Sequence, residues 1–328
     1  MSKHGRLVQA WKATGAIVAL CGCMMAHAED WPSRPIKLVV PSTAGSTPDV
    51  FARILADALR TGMGATVAID NKPGAGGAVA VNVVAKASPD GYTVGITPPG
   101  PMGADTLLQN RLPYDPAKDL ALVTLAVTQA NVLVVRSTLN AKDMGQLIST
   151  LEKDPEKYTY AAIGAGSINR LCMELVAQQS GTKMTRVPYA GTPQAILAVI
   201  SGEVDMACLP EQAVAAQVQA GKLRALAIAS AKRSTVLADV PTLRELGMPG
   251  IEADSWMGII APAGTSPAIV KRLRSAIAQA LSQPGTREML RTQFMEVVAS
   301  TPEAFARTVQ DDVTRWKFLI RTRGISLD

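Results

Sequence analysis

Short runs rich in Val, Ile, Leu and Ala recur along the whole chain, at 36–40, 66–70, 92–96, 121–127, 131–135, 158–162, 184–188, 204–208, 223–229 and 256–260. Between them lie segments with helical spacing of apolar residues, such as Val50, Ile54 and Ala58, or Leu197 and Ile200. A chain that alternates in this way is restricted to α/β layers, and the alternation predicts largely parallel sheets. The runs are apolar at odd and even positions alike, as strands are when helices cover both faces of a sheet.

From Ser266 onward the pattern is almost entirely helical. Ser266-Pro267 reads as an N-cap followed by proline at the first helical position, and Ile269, Val270, Leu273, Ile277 and Leu281 form one stripe. Thr301-Pro302 opens the last helix in the same way, with Phe305, Val309, Val313, Trp316 and Ile320 on its apolar face and Gly324 closing it. Two βα runs followed by this return predict two α/β lobes with a cleft between them. Residues 29–130 with 251–328 make the first lobe and 131–250 the second, and the C-terminal helices pack back on the first. Crossover segments near 121–135 and 250–260 are the expected hinge, and the cleft is the expected place for a ligand.

The N-terminus has the makings of an export leader. Lys3, Arg6 and Lys12 precede an apolar stretch from Ala13 to Met25, and Ala26-His27-Ala28 fits a signal-peptidase site. That stretch is shorter than the roughly 20 residues a membrane helix needs. Cleavage after Ala28 would leave 328 − 28 = 300 residues and a periplasmic product. Lipid attachment at Cys23 is the alternative route, because Leu20-Cys21-Gly22-Cys23 faintly resembles a lipobox.

Removal of the leader narrows the available chemistry. His4 and His27 are the chain's histidines, so the mature chain is expected to have no Ser-His-Asp or Cys-His catalysis and no histidine metal site. Three basic residues leave with the leader, so the formal charge becomes 30 − 27 = +3. No basic run with interleaved aromatics accompanies that small excess, and nucleic acid is not an expected partner. Cys172 and Cys208 remain; two separate buried thiols are the favoured reading, and a disulfide the alternative.

Four small-residue loops each follow a strand and precede a helix: Pro41 to Thr47, Lys72 to Gly77, Ile163 to Ser167, and Pro188 to Thr192. Loops at the carboxyl ends of strands, with helix N-termini behind them, let backbone N–H groups approach an anion closely. Tight turns alone would also account for the glycines. Gly74-x-Gly76-Gly77 is no dinucleotide fingerprint, since its third glycine position is Val79, and no Lys-Ser/Thr follows to make a P-loop. No cofactor is expected.

Taken in order, these segments resemble the periplasmic substrate-binding proteins of tripartite tricarboxylate transporters, the Bug family. The resemblance rests on Trp31 to Pro41, Asp49, Asn71 to Gly77, Ser88 to Tyr92, Leu112 to Pro116, Val187 to Tyr189 with Gly191, Gly202 to Asp205, Gly221 to Ala227, Asp239 to Thr242, and Trp256 through Ala261 to Thr265. It implies a two-lobed, periplasmic-binding-protein-like receptor that closes on a small organic acid and delivers it to membrane permease subunits. It also implies a monomer without enzymatic activity.

The family's ligand contacts map onto Ser42, Thr43, Ala44, Gly45, Ser46, Thr47 and Asp49 in the first loop. In the second they map onto Gly164, Ala165, Gly166, Ser167, Asn169 and Arg170, and in the third onto Tyr189, Ala190, Gly191 and Thr192, with 98–102 as a further wall. The chain departs from the family's usual pattern at Ser42, Ser46, Pro48, Arg170 and Ala190. The added hydroxyl and amide groups point to a carboxylate with a bulkier or more hydroxylated body than a C4 diacid. Arg170 is expected either to pair with a second acidic group on that ligand or to lie solvated on the surface. Two other outputs fit the same sequence: a receptor that signals to a membrane partner, or a histidine-free enzyme using carboxylates such as Glu203 and Asp205.

Overall fold

The computed structural model describes residues 31–108, 112–164 and 166–323. The leader expected at 1–28, Ala165 and Gly324 lie outside the described residues. The strands are β1 (Ile36–Val40), β2 (Val67–Asn71), β3 (Thr93–Thr97), β4 (Leu120–Gln129), β5 (Asn131–Arg136), β6 (Thr159–Ile163), β7 (Thr185–Tyr189), β8 (Met206–Pro210), β9 (Leu223–Ile228), β10 (Ser255–Pro262) and β11 (Glu296–Val297). Each apolar run of the sequence is a strand within two residues of the expected bounds. β11 has no counterpart there, because two residues carry no periodicity.

The strands form a six-stranded sheet in the order β11-β4-β10-β3-β1-β2 and a five-stranded sheet in the order β7-β6-β8-β5-β9. Both sheets are mixed rather than largely parallel. β1, β2 and β3 pair in parallel through helical crossovers, as do β6, β7 and β8. The pairs made by β4, β5 and β10 are antiparallel. The strands that run against their neighbours include those on which the chain changes sheets: β5 follows β4 across the single residue Ala130, and β10 returns to the first sheet after β9.

Alternation along the second sheet explains the packing of its two faces. Leu133 and Val135 of β5, Tyr160 and Ala162 of β6, and Met206 and Cys208 of β8 join one core with Leu147 and Leu171 from the helices Met144–Lys153 and Ile168–Gln179. The intervening Val132, Val134, Ala161, Ala207 and Leu209 join the opposite core, with Ala195 and Val199 from the helix Thr192–Ser201 and Val214 from Glu211–Gln219. A helix on each face is what the doubly apolar strands require.

The last helix, Pro302–Arg323, does more than pack back on the first sheet. Phe305 and Val309 join the core that contains Val39, Leu125 and Ile260, whereas Trp316 and Ile320 pack into the core of the second sheet. A helix of 22 residues is about 33 Å long at 1.5 Å per residue, enough to reach past one sheet. The cysteine expectation is also corrected, because Cys172 and Cys208 are joined in a disulfide. The helix Ile168–Gln179 lies directly on β8, and their Cα atoms are 6.4 Å apart, within bridging range.

Candidate ligand-binding site

A cavity of about 120 Å³ lies where the loops of the two sheets face each other. The sequence fixes its character through helix starts. Ser46 is the N-cap of the helix Thr47–Met63, Gly77 of Ala78–Ala85, Ser167 of Ile168–Gln179 and Gly191 of Thr192–Ser201. All four N-caps line the cavity. Their first-turn N–H groups and dipoles make it a donor-rich, anion-accepting space.

Little competes with a ligand for those donors. Ser46 makes no side-chain cap; its hydroxyl donates to the Thr43 carbonyl at 2.6 Å and pairs with Ser42 Oγ at 2.5 Å. Gly191 has no side chain to cap with. Ser167 Oγ accepts the Arg170 N–H, at 3.2 Å. Proline, isoleucine, methionine and tryptophan side chains make much of the remaining wall, and none of the lining residues is ionisable.

Asp49 stands behind the first loop and shapes it. Its carboxylate is buried and accepts from the Gly45 N–H at 2.9 Å, from Asn71 Nδ2 at 3.1 Å and from Arg53 Nε at 2.9 Å. Asn71 Nδ2 also donates to the Ser42 carbonyl at 2.9 Å, so one carboxylate fixes both ends of the turn. Burial pushes the Asp49 carboxyl up, but the hydrogen bonds from Arg53, Gly45 and Asn71 outweigh it and hold the group below its ordinary value. The folded pKa is thus below the unfolded one, so its stabilisation is present above the unfolded value and lost as pH falls through the folded one. Asp49→Asn is expected to cost about 2 kcal/mol at pH 7. In chemical melts the gap from the parent chain should begin to narrow below about pH 4 and shrink further as the solution is acidified; a gap that does not change with acidification would remove Asp49 from this role.

The remaining expected residues divide between wall and support. Ser42, Ser46, Thr47, Ser167, Asn169, Ala190, Gly191 and Thr192 line the cavity. Thr43, Ala44, Gly45, Asp49, Gly164, Gly166, Arg170 and Tyr189 do not, and Ala165 lies outside the described residues. Tyr189 turns away, its hydroxyl donating to Glu203 at 2.7 Å. Arg170 fits neither expectation: it is 2% exposed, off the cavity, with Nε 3.4 Å from Glu174 Oε1. Glu203 and Asp205 are structural as well, since Asp205 accepts from Arg136 Nε and the Thr159 N–H, both at 2.8 Å.

Several wall residues were not among the sequence candidates. Gly74, Gly76 and Gly77 were visible as a small-residue loop, and their place in the wall is a matter of clearance. A Cβ on Gly77 would sit 3.1 Å from Pro98 and 3.2 Å from Pro41, and its φ of 107° is one that glycine adopts freely. Gln129, Pro210, Ser255, Trp256 and Met257 reach the cavity from strand ends far apart in sequence. Trp256 is held by Asp312 of the last helix, to which its Nε1 donates at 2.8 Å, and by edge-to-face packing on Phe305 at 5.3 Å. Behind Gln129 lies a polar recess of about 320 Å³ lined by Glu211, Lys232, Arg233, Asp254 and Arg291 among others.

Segments distant in sequence also touch beside the cavity. The Gly166 N–H donates to Asp105 Oδ1 at 2.8 Å, and Thr47 Oγ1 donates to Gln212 Oε1 at 3.0 Å. Gln212 Nε2 in turn donates to Gln293 Oε1 at 3.1 Å. Two mixed α/β sheets with converging helix N-termini, closed over a cavity without cations, define a solute receptor of the periplasmic-binding-protein type. Residues 51–325 match the family model described as tripartite tricarboxylate transporter family receptor, and the chain belongs to that family.

BugT of Bordetella pertussis is 32% identical over 317 residues, 95% of this chain and 97% of its own. Among solved structures, R. palustris Rpa4515 with adipate is 34% identical with a TM-score of 0.87, over 90% of this chain and 99% of that one. MatC from Rhodopseudomonas palustris with bound malate is 32% identical with a TM-score of 0.83, over 88% of this chain and all of the other. Among the described residues no helix is long and apolar enough to cross a membrane, and no group of three or more His, Cys, Asp or Glu could hold a metal.

Proposed function

We propose that this chain is exported to the periplasm, captures a small organic carboxylate between two lobes, and delivers it to a tripartite tricarboxylate-type permease without transforming it. The carrying observation is that N-caps Ser46 and Gly77 on one side and Ser167 and Gly191 on the other line one cavity devoid of cations. Backbone N–H groups replace an arginine clamp, because several charge-assisted bonds share the carboxylate charge. Ser42, Ser46, Thr47, Ser167, Asn169 and Thr192 are the side chains assigned to the ligand. Asp49, Gly45, Gly164 and Gly166 act one layer back, by holding the loops in place.

In this reading the lobes are 29–130 with 251–328 and 131–250. The chain passes between them at Ala130 and again between β9 and β10, and these are the hinges. The bound molecules of the two R. palustris relatives, adipate and malate, support a carboxylate as the ligand class. Native mass spectrometry of the chain purified from a periplasm, followed by denaturation, tests the proposal. A carboxylic acid released one to one is the expected result. Steady conversion of that acid by the purified chain would replace the receptor reading with an enzymatic one.

A further inference from the structure

The floor of the cavity, where β4, β10 and the start of the helix Ile168–Gln179 meet, has the opposite polarity to the helix N-termini. Asn169 is 8% exposed and both its amide hydrogens are committed, to the Cys208 carbonyl at 2.8 Å and to Asn131 Oδ1 at 3.3 Å. A backbone carbonyl only accepts, so the first bond fixes the orientation of the amide and leaves Oδ1 to face a ligand. Asn131 is fixed in the same way, with Nδ2 donating to the Ala253 carbonyl at 2.5 Å and to Ser255 Oγ at 2.9 Å. Ser255 therefore accepts from the protein and keeps its own hydrogen for the cavity. Gln129, 5% exposed, lies between this floor and the recess behind it, and its buried Oε1 has no hydrogen-bond partner among the described residues.

These groups select among carboxylates. We propose, resting on the carboxylate reading above, that the ligand is a hydroxylated monocarboxylic acid whose hydroxyl reaches this floor, and that Gln129 is the residue that selects for it. The hydroxyl donates to Gln129 Oε1 and accepts from Ser255 Oγ, while the carboxylate meets the helix N-termini. A methyl group at that end would leave Oε1 buried and unpaired. A second carboxylate would set its charge against the oxygens of Gln129 and Asn169 with no cation in the wall. An ammonium would bring a full positive charge to a cavity whose wall holds no carboxylate.

Calorimetric titration of the mature chain with acids of matched length tests this: hexanoate, 6-hydroxyhexanoate and adipate, and in parallel butyrate, 4-hydroxybutyrate and succinate. In the length that binds better, the hydroxy acid should bind at least about tenfold more tightly than the plain acid and the diacid. Gln129→Met, which keeps the length of the side chain and removes the acceptor, should abolish that preference, bringing the hydroxy acid and the plain acid to within about twofold of each other. A diacid that binds as tightly as the hydroxy acid overturns the proposal, as does a preference that survives in Gln129→Met. If none of the six acids binds, the carboxylate reading falls and takes this inference with it. Should the variant fail to melt cooperatively, the ranking of acids by the parent chain decides alone.

Discussion

Replacing Gly166 with valine is expected to weaken binding of small carboxylates by roughly 10- to 100-fold, with the folded chain otherwise intact. A Cβ at Gly166 would lie 2.4 Å from Asp105 Oδ1 and 2.7 Å from the Asp105 backbone nitrogen, where no side chain fits. Next to it, a Cβ on Gly164 would lie 2.7 Å from the Cα of Gly76. Gly76 of the cavity wall and Gly164 thus meet backbone to backbone, and the Gly166 N–H to Asp105 bond lies close by.

In the proposed two-lobe closure, the cost of overfilling such a contact, about 1–3 kcal/mol, is felt only when the lobes are together. It therefore appears as a penalty on the binding-competent arrangement rather than on folding. Calorimetric affinities of the parent chain and of Gly166→Val, with melts as the control, make the comparison. Parent-like affinity in the variant would mean that this contact takes no part in binding.

Reduction of the Cys172–Cys208 bond is expected to cost about 3–4 kcal/mol of stability, the loop-entropy value for a closed loop of 36 residues. Both residues are fully buried, and the bond joins the helix Ile168–Gln179 to β8 within the second sheet's larger core. The same junction carries the Asn169 to Cys208 carbonyl bond at the cavity floor, so loosening it should also weaken ligand binding. Urea unfolding of the parent chain with and without reductant, and of Cys172→Ala/Cys208→Ala, measures the effect. Coincident curves, or two titratable thiols in the unreduced denatured chain, would show that the bond is not formed.

Much of this architecture could be read from short-range pattern. Apolar runs located β1 to β10, and the small-residue loops located the N-caps Ser46, Ser167 and Gly191, because glycine, serine and proline at a helix start carry a local signal. What stayed hidden depended on pairings between distant segments. The mixed direction of the sheets involves the two strands on which the chain changes sheets, β5 after Ala130 and β10 after β9, which alternation does not distinguish from crossovers. Arg170 stands in a loop that reads as ligand-facing, yet one helical position after Asn169 it points into the protein, toward Glu174.

Gln129, Pro210 and Ser255 carry no motif, and they meet only because β4, β8 and β10 end at one place. The disulfide was hidden for the same reason. Its two partners, 36 residues apart, become neighbours through the packing of a helix on a strand.

The most direct test of the account is whether the helix N-termini hold a carboxylate. Calorimetry with the tightest-binding acid and with its primary amide, which has the same shape but no charge, answers it. Loss of charge-assisted bonds from several N–H groups predicts that the amide binds about 100-fold more weakly or not at all. Equal affinities for acid and amide would contradict the account, because the cavity would then be reading the body of the ligand and not its charge.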